Sequence, residues 1–387
     1  MNKKELANIL SKKINLIIKK KINDLHSPEI NDVDVNSVKK CLKSSYVSTY
    51  GPFTKKFEKE IKKITKAKYV VALNSGTSAL QLSLVGLKIP KNSEILMPSL
   101  TFVATANAVI YNQCIPHFVD TEKKSFGIDF DNLEKYIKFN FIKKKNKLYN
   151  KKTGRYVTAI IPVHLFGHAV DCKKLIKFSR KHNLKIIEDA AEALGSRYMG
   201  KHLGLFGDVG CLSFNGNKIV TTGAGGAIIT NNKKIYKRVY HFANIAKKKN
   251  KIELEHNDIG FNYLMPNLNA SLGISQIKRV KKFINNKRLL YKKYEKIFEK
   301  DTYFKIYKDQ KNEKSNYWLQ TLVINSKIKK HKNFFIIQLK KNNIGCRPVW
   351  KCLHLLPKYN DFPKMNLANS LNHYASIINL PSSYNIF

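Results

Sequence analysis

The chain has 387 residues and a hydrophobic content of 43%, which is enough to bury at least one large core. Its formal net charge of +44 comes almost entirely from lysine, and the lysines are spread over the whole chain. Surfaces built for nucleic acids more often concentrate arginine, whose planar guanidinium groups bind phosphates and bases. We therefore attribute the charge to the amino-acid bias of an AT-rich genome and predict no specific nucleic-acid partner.

The N-terminal residues 1–24 interrupt their apolar positions with lysines, in the pattern MNKKELANILSKKINLIIKKK. This pattern predicts a basic helical extension exposed to solvent, with a helix lying on a membrane surface as the alternative. No apolar run is long enough to cross a bilayer, so we expect no transmembrane segment and a cytoplasmic location. The six cysteines form no C-x-x-C pair, which fits a reducing compartment. His164 and His168 lack the intervening glutamate of a zincin helix, so no metal site is predicted.

Short β-branched runs alternate with helical patterns between residues 69 and 230, beginning with YVVAL and SALQLSLVGL. Such alternation predicts an α/β fold with a mainly parallel central sheet and flanking helices. After residue 260, long helical patterns precede the strand-like YWLQTLVIN, which indicates a smaller α+β domain. We predict an extension at 1–24, a segment at 25–68 associated with the small domain, a large domain at 69–265 and a small C-terminal domain at 266–387. The lysine-rich stretches 138–155 and 247–256 are interpreted as surface loops.

A helix that begins directly after the first predicted strand carries Gly76, Thr77 and Ser78 in its first turn. Glycine lets the backbone approach an anion closely, and the first turn of a helix offers free N–H groups to a phosphate. These residues are therefore candidates for a phosphate-binding turn. An N-cap formed by Ser75 or Thr77 explains the same residues if the segment is considered alone.

Two further side chains follow strands of the same predicted sheet. Asp189 ends the apolar strand KIIED, a position where α/β sheets present functional carboxylates, and it is able to pair with a pyridinium nitrogen. Phe102 follows the strand EILMP and offers a flat apolar face to a cofactor ring. The alternatives are a helix cap for Asp189 and an ordinary core position for Phe102.

Lys218 lies in the segment SFNGNKIVTTGAGG between two predicted strands, shortly after Ser213. A lysine that forms an imine must lose its proton easily, and partial burial in a turn between strands lowers the pKa of its amine. Lys218 is therefore the candidate nucleophile. In so lysine-rich a chain an exposed surface lysine is the alternative, and the glycines alone also fit a hairpin turn.

In chain order, the phosphate-binding turn, the aromatic residue, the strand-end carboxylate and the turn lysine resemble the fold-type I, pyridoxal-phosphate (PLP) dependent sugar aminotransferases of the DegT and StrS family. The resemblance covers residues 25 to 383 and includes the phrases LTFVATANAVIYNQCIPHFVD, PVHLFGH, EDAAEALGS, FNYLMPNLNASLG, CRPVW and NLPSS. Within the family it is strongest for enzymes that aminate C4 of UDP-linked 4-keto-6-deoxy-N-acetylhexosamines on the way to bacillosamine and legionaminic acid. It implies a homodimer that transfers the amino group of L-glutamate, through pyridoxamine phosphate, to a nucleotide-linked keto sugar for surface-glycan synthesis.

The same resemblance implies roles for individual residues. Lys218 would hold PLP and transfer the proton, and Asp189 would bind the ring nitrogen. Asn262 would reach the cofactor phosphate of the neighbouring subunit. The other cofactor-binding positions would be Gly76, Thr77, Ser78, Phe102, Glu192 and Ser213, while Tyr50, Gly51, Phe53 and Trp318 would surround the sugar nucleotide.

The sequence departs from the family pattern at Glu192, where many relatives carry glutamine, and at Leu264, where they usually carry arginine. These changes leave the identity of the sugar open. Two rival functions keep the cofactor: the dehydration of a keto sugar, as in relatives whose lysine is replaced by histidine, and an inactive cofactor-binding protein. Lys218 and Asp189 are both present and argue against these rivals. A nucleic-acid or membrane binder is the third, and it predicts affinity that falls steeply with salt.

Overall fold

The computed structural model describes residues 1–18, 24–248, 253–384 and 386–387. Among these residues no helix combines the length and apolar character that a membrane span requires. Short 3-10 turns occur at Leu165–Gly167, Lys329–His331 and Leu353–Leu355. The α-helices are α1 (Lys3–Asn15), α2 (Asp32–Lys43), α3 (Pro52–Thr65), α4 (Gly76–Gly86), α5 (Ala104–Tyr111), α6 (Phe130–Asn140), α7 (Cys172–His182), α8 (Lys233–Ala243), α9 (Asn267–Lys278), α10 (Val280–Phe298), α11 (Lys332–Lys341) and α12 (Ala368–Ser376).

The strands of the described residues form a large central sheet, a small antiparallel sheet and a short three-stranded ribbon. They are β1 (Tyr69–Leu73), β2 (Glu94–Pro98), β3 (Ile115–Val119), β4 (Phe141–Lys144), β5 (Lys147–Asn150), β6 (Tyr156–Ile160), β7 (Lys185–Asp189), β8 (Arg197–Tyr198), β9 (Lys201–His202), β10 (Val209–Ser213), β11 (Gly226–Thr230), β12 (Phe304–Ile306), β13 (Glu313–Lys314), β14 (Gln320–Ile324), β15 (Arg347–Pro348) and β16 (Ile377–Leu380).

The central sheet has the strand order β1-β11-β10-β7-β6-β2-β3. Neighbours from β10 to β3 are parallel, whereas β11 runs antiparallel to both β1 and β10. Successive side chains of a strand join apolar clusters on opposite faces, as Val70 and Ala72 do on one face and Val71 and Leu73 on the other. Both faces therefore bury apolar side chains against helices, which confirms the expected mainly parallel α/β sheet of a fold-type I enzyme.

A hairpin extends the central sheet where the lysine-rich stretch 138–155 had been interpreted as a surface loop, and that interpretation was wrong. Strands β4 and β5 pair with each other, and β5 pairs with β6. Phe141 and Leu148 are buried, and the Asn150 side chain donates to the buried carboxylate of Glu94 at 3.0 Å. The buried residues of this stretch therefore allow it to form a pair of strands, although lysines occupy the turn between them. Of the second stretch, 247–256, residues 249–252 lie outside the described residues.

The small sheet has the order β12-β14-β16-β15, with antiparallel neighbours. Helix α1 packs against the elements around this sheet, since Leu6, Leu10 and Ile14 share a buried cluster with Phe335 and Leu380. These three α1 residues are spaced four apart and lie on one face of the helix. The solvent-exposed extension expected at 1–24 is therefore wrong for α1, while residues 19–23 lie outside the described residues.

Helices α2 and α3 contact α9, the first helix of the predicted region 266–387. The Ser37 hydroxyl donates to the Ser271 carbonyl at 2.6 Å, and the Phe53 amide donates to the Asn267 side chain at 2.8 Å. The domain boundaries at residues 24, 68 and 265 stay predictions.

Candidate active site

A cavity of about 290 Å³ lies where the carboxyl ends of parallel strands meet at one edge of the central sheet. Residues that follow β1, β2 and β6, or end β7 and β10, form one side of it, and residues at the small sheet form the other. The predicted site residues that line it are Gly76, Thr77, Phe102, Asp189, Glu192, Ser213, Lys218 and Trp318.

The first turn of α4 faces this cavity. Ser75 caps the helix, because its hydroxyl accepts the Ser78 amide hydrogen at 3.0 Å. A Cβ atom at Gly76 would lie 2.9 Å from the Ser213 Cβ, so only glycine lets the helix approach β10 this closely. The N–H groups of Gly76 and Thr77 have no acceptor within the helix and carry the positive end of its dipole. The turn and the Ser213 hydroxyl together offer an anion site.

Ser78 does not line the cavity, in contrast to its two neighbours. Its hydroxyl donates to the Asn74 side chain at 2.6 Å and lies 2.8 Å from the Ser75 hydroxyl. The N-cap alternative is thus correct for Ser75, and it coexists with the anion site because the cap uses only one amide of the turn.

Lys218 points into the protein from the turn between β10 and β11. Its Nζ lies 3.3 Å from Glu192 Oε1 and 3.8 Å from the centre of the Trp318 ring, and the side chain is 14% exposed. The surface-lysine alternative is therefore wrong. Burial lowers the pKa of the Lys218 amine, and the carboxylates of Glu192 and Asp189 oppose this effect.

Asp189 ends β7 with its carboxylate directed at the cavity. One carboxylate oxygen accepts the Thr105 hydroxyl at 2.7 Å, and the other accepts the Ala191 amide hydrogen at 3.2 Å. Burial raises the pKa of Asp189, while the Thr105 hydrogen bond acts in the opposite direction. No α-helix begins directly after this strand in the described chain, so the helix-cap alternative for Asp189 is wrong.

Hydrogen bonds hold both the side chain and the backbone of Glu192 in place. Its Oε2 accepts the amide hydrogen of Phe166, which adopts a left-handed φ of 56°, at 2.7 Å. The Asn316 side chain holds the backbone carbonyl of Glu192 at 2.8 Å. Gly167 packs so tightly here that a Cβ atom would lie 1.9 Å from Asn316 Oδ1. The backbone therefore adopts a strained conformation at Phe166, and this conformation helps to hold the Glu192 carboxylate beside Lys218.

Thr105, Arg347 and Trp350 are among the cavity residues that the sequence analysis missed. The Trp350 ring stacks on Phe166 at 5.3 Å between centroids and lies 5.8 Å from the half-exposed ring of Phe102. The phrase CRPVW contained both Arg347 and Trp350 and was the available signal. It lies far along the chain from the other segments, so spacing alone gave no reason to place it at the cavity.

The remaining predicted residues do not reach this cavity within their own chain. Tyr50 and Gly51 line a separate surface groove together with Leu264. Phe53 is half-buried against the core, and Asn262 forms a backbone bridge with Asn244.

Known proteins are similar to this chain along most of its length. A family model described as the DegT/DnrJ/EryC1/StrS aminotransferase family matches residues 28–386. The GDP-perosamine synthase of Escherichia coli O157:H7 is 32% identical over 346 residues, 89% of each chain. A UDP-4-amino-4,6-dideoxy-N-acetyl-beta-L-altrosamine transaminase of Campylobacter jejuni is 28% identical over 350 residues, 90% of this chain and 89% of the relative. The solved structure of Helicobacter pylori PseC, an aminotransferase involved in pseudoaminic acid biosynthesis, has a TM-score of 0.84 at 26% identity, covering 93% of each chain.

Aminotransferases of the matched family use PLP, and the donor set of the cavity fits that cofactor. PLP presents an aldehyde, a phosphate and a pyridine nitrogen, which require an amine, an anion site and an acid. Lys218 offers the amine and Asp189 the acid, while the α4 turn offers the anion site. Because Gly76 lacks a Cβ atom, which would lie 3.1 Å from the Ser213 Oγ, this hydroxyl beside the α4 turn stays accessible to a phosphate.

Proposed function

Because the chain belongs to the DegT/DnrJ/EryC1/StrS aminotransferase family, we propose that it transfers the amino group of L-glutamate to a nucleotide-linked 4-keto-6-deoxy-N-acetylhexosamine. The proposed product is the 4-amino sugar, used for surface glycans or for sugars of the bacillosamine and legionaminic acid type. The observation that carries the proposal is the buried amine of Lys218, which faces the same cavity as the carboxylate of Asp189.

When bound, PLP supplies an electron sink for the bond that breaks at the substrate carbon. Lys218 would hold the cofactor and, once released from it, would accept a proton from the substrate carbon at Nζ and return it to the cofactor side. Burial lowers the pKa of this amine, which favours the neutral form that accepts a proton. The Thr105 hydroxyl would orient Asp189, whose carboxylate would keep the ring nitrogen protonated.

The other cavity residues would bind and orient the cofactor. The N–H groups of Gly76 and Thr77 and the Ser213 hydroxyl would bind the phosphate. Phe102 would lie against the ring, and Glu192 would contact a ring substituent where many relatives use glutamine. Trp318 would close the cavity on the substrate side, since its indole lies over Lys218 and donates to the Asn217 carbonyl at 2.8 Å.

The relatives support an amino transfer to a sugar nucleotide but differ in the nucleotide. The name of the Campylobacter jejuni relative contains a UDP-linked 4-amino-4,6-dideoxy-N-acetyl sugar, in agreement with the acceptor that we propose. GDP-perosamine synthases at 31% to 32% identity make a GDP-linked keto sugar the second candidate.

The predicted site residues that lie outside the cavity of their own chain are relevant to the oligomeric state of the protein. Asn262, Tyr50 and Gly51 would serve an active site only if a neighbouring subunit supplied it. A homodimer with Asn262 crossing to the neighbouring site is therefore part of the proposal, as is a cytoplasmic location.

The absorption spectrum of the protein with added PLP tests the proposal before any sugar is needed. We expect a visible band from the lysine-bound cofactor, which L-glutamate converts to the spectrum of pyridoxamine phosphate. Lys218→Ala should show neither the band nor turnover. Lys68→Ala, a change of an exposed lysine just before β1, should behave like the unchanged protein. Repeated turnover by Lys218→Ala would contradict the assignment.

The acceptor is then identified with UDP-4-keto-6-deoxy-N-acetylglucosamine and GDP-4-keto-6-deoxymannose in parallel. Restoration of the visible band together with a 4-amino product from the UDP sugar would support the proposed acceptor. Restoration by the GDP sugar alone would replace it with the second candidate. Loss of water from the sugar without a gain of nitrogen would favour the dehydratase, and no reaction with glutamate would favour the inactive cofactor-binding protein.

A further inference from the structure

Lys287 is a lysine on the core-facing side of α10. It follows Phe283 by four positions and precedes Tyr294 by seven, and all three side chains are buried. These spacings place them on one face of the helix. Burial removes the amine from water and lowers the pKa of Lys287 well below its usual value. Such a position is unfavourable for an amine unless its hydrogens find acceptors.

Two backbone carbonyls accept hydrogen bonds from the Lys287 amine. Its Nζ donates to the Trp318 carbonyl at 2.9 Å and to the Ser382 carbonyl at 2.6 Å. Within the described ranges, no carboxylate forms an ion pair with Lys287. The amine therefore joins α10 to the segment before β14 and to the segment after β16, and it does not neutralise an acid.

Trp318, the first of these two acceptors, is held by hydrogen bonds at three points. Its amide donates to the Asn316 side chain at 2.8 Å, its carbonyl accepts from Lys287, and its indole N–H donates to the Asn217 carbonyl at 2.8 Å. The centre of its ring lies 3.8 Å from Lys218 Nζ, where the ring face attracts a cation. Lys287 does not line the cavity, but Trp318 connects it to Lys218.

We propose that Lys287 is a positioning residue that holds the Trp318 ring against the nitrogen of Lys218. The inference rests on the proposed role of Lys218 as the lysine that binds the cofactor. A ring face beside this nitrogen stabilises its cationic form, and the same holds when the nitrogen is bound to PLP. Without the hydrogen bond from Lys287, the Trp318 backbone is free to move and this stabilisation weakens.

A direct effect of charge predicts the opposite sign. If the ammonium of Lys287 acted on Lys218 through space, its removal would relieve a repulsion and raise the pKa of the Lys218 nitrogen. Displacement of the Trp318 ring lowers that pKa instead. The other ionisable groups that act on this nitrogen are kept unchanged in every variant: Glu192, Asp189, Arg347 and His26.

A pH titration of the visible band in the PLP-loaded protein measures the protonation of the Lys218 nitrogen. We expect Lys287→Met to lower the midpoint by about 0.5 to 1.5 pH units, the range that corresponds to loss of a buried cation–π contact. Trp318→Phe loses the indole N–H and has a weaker ring, so it should also lower the midpoint. The double variant should shift it by less than the sum of the two, because both changes act through one ring. Lys292→Met, a change of an exposed lysine of α10, should leave the midpoint in place.

An unchanged or raised midpoint in Lys287→Met, or additive shifts in the double variant, would overturn the inference. Lower stability in urea without a shift would show that Lys287 only stabilises the fold, which also overturns it. If Lys287→Met does not fold, Lys287→Gln takes its place, since its shorter side chain does not bridge the same two carbonyls. Absence of the visible band from the unchanged protein would refute the proposed function as well, whereas a normal band with an unshifted midpoint refutes this inference alone.

Discussion

The substitution Glu192→Gln removes the negative charge that lies 3.3 Å from the Lys218 amine and keeps the shape of the side chain. A glutamine still accepts the Phe166 amide hydrogen, so the backbone around residue 166 should stay in place. The variant therefore isolates the effect of one charge on the pKa of Lys218.

The Coulomb energy of two unit charges at this separation is about 5 kcal/mol for an effective dielectric constant of about 20, which sets an upper limit of about 3.7 pKa units. Two features reduce the effect. Burial disfavours the charged form of Glu192 and raises its pKa, and Asp189 continues to stabilise the ammonium form of Lys218. We expect the pKa of Lys218 to fall by about 1 to 3 units, the usual range for loss of one close partner.

The rate at which PLP binds covalently to the cofactor-free protein measures this pKa, because only the neutral amine attacks the aldehyde. The visible band is followed at a fixed PLP concentration over a series of pH values. The midpoint of the rate increase should move to lower pH in Glu192→Gln, whereas Glu299→Gln, a change of an exposed carboxylate after α10, should leave it in place. A midpoint that is unchanged, or that moves to higher pH, would refute the electrostatic reasoning.

Two further predictions concern stability. Burial raises the pKa of Glu58 from 4.5 to about 7. The folded protein therefore binds the proton of the Glu58 carboxyl more tightly than the unfolded chain does, and the protein loses stability as the pH rises from 4.5 to 7. Glu58→Gln should therefore raise the free energy of unfolding above neutral pH by about 3 kcal/mol, with little change at pH 4.5, since one pKa unit corresponds to about 1.4 kcal/mol. Urea unfolding in which the variant is less stable than the unchanged protein at high pH would contradict this. Gly167→Ala should cost about 3 kcal/mol or more, because its Cβ would strike Asn316 at a φ of +92°. Gly154→Ala places a Cβ in open space at a φ of +69° and should lower the free energy of unfolding by only about 1 to 2 kcal/mol. Equal losses of stability in the two variants would show that tight packing at Gly167 is not the cause.

The parts of the site that the sequence made predictable are those that depend on local chain geometry. Gly76, Asp189 and Lys218 each stand at a strand end or strand connection, and a parallel sheet brings its carboxyl ends to one edge. Phe102 follows β2, so the same rule about strand ends predicts that it lies at this edge of the sheet. These residues were recognisable together because the resemblance linked them in chain order, whereas each segment alone also had a simpler explanation.

The rest of the site depends on contacts between distant parts of the chain. Arg347 and Trp350 reach the cavity only because the small sheet packs beside the central one, and no local pattern encodes that arrangement. The hairpin of β4 and β5 was missed because lysine content suggested a loop, while its pairing depends on burial of Phe141 and Leu148 and on the contact between Asn150 and Glu94. Tyr50 and Asn262 were assigned to the site by resemblance alone, and a single chain does not bring them there.

The packing of α1 has a consequence for the order in which the protein assembles during synthesis. Leu10 is made 325 residues before Phe335 and 370 residues before Leu380, its partners in the buried cluster. At about 5 to 20 residues per second, the apolar face of α1 waits for its partners for a time on the order of tens of seconds. Lysines surround that face, and the capping box of Asn2 and Glu5 supports the helix locally in the meantime. The small-sheet core can therefore be completed by α1 only after β16 has been made. In a nascent chain stalled before β16, the apolar face of α1 would stay exposed to aggregation and proteolysis.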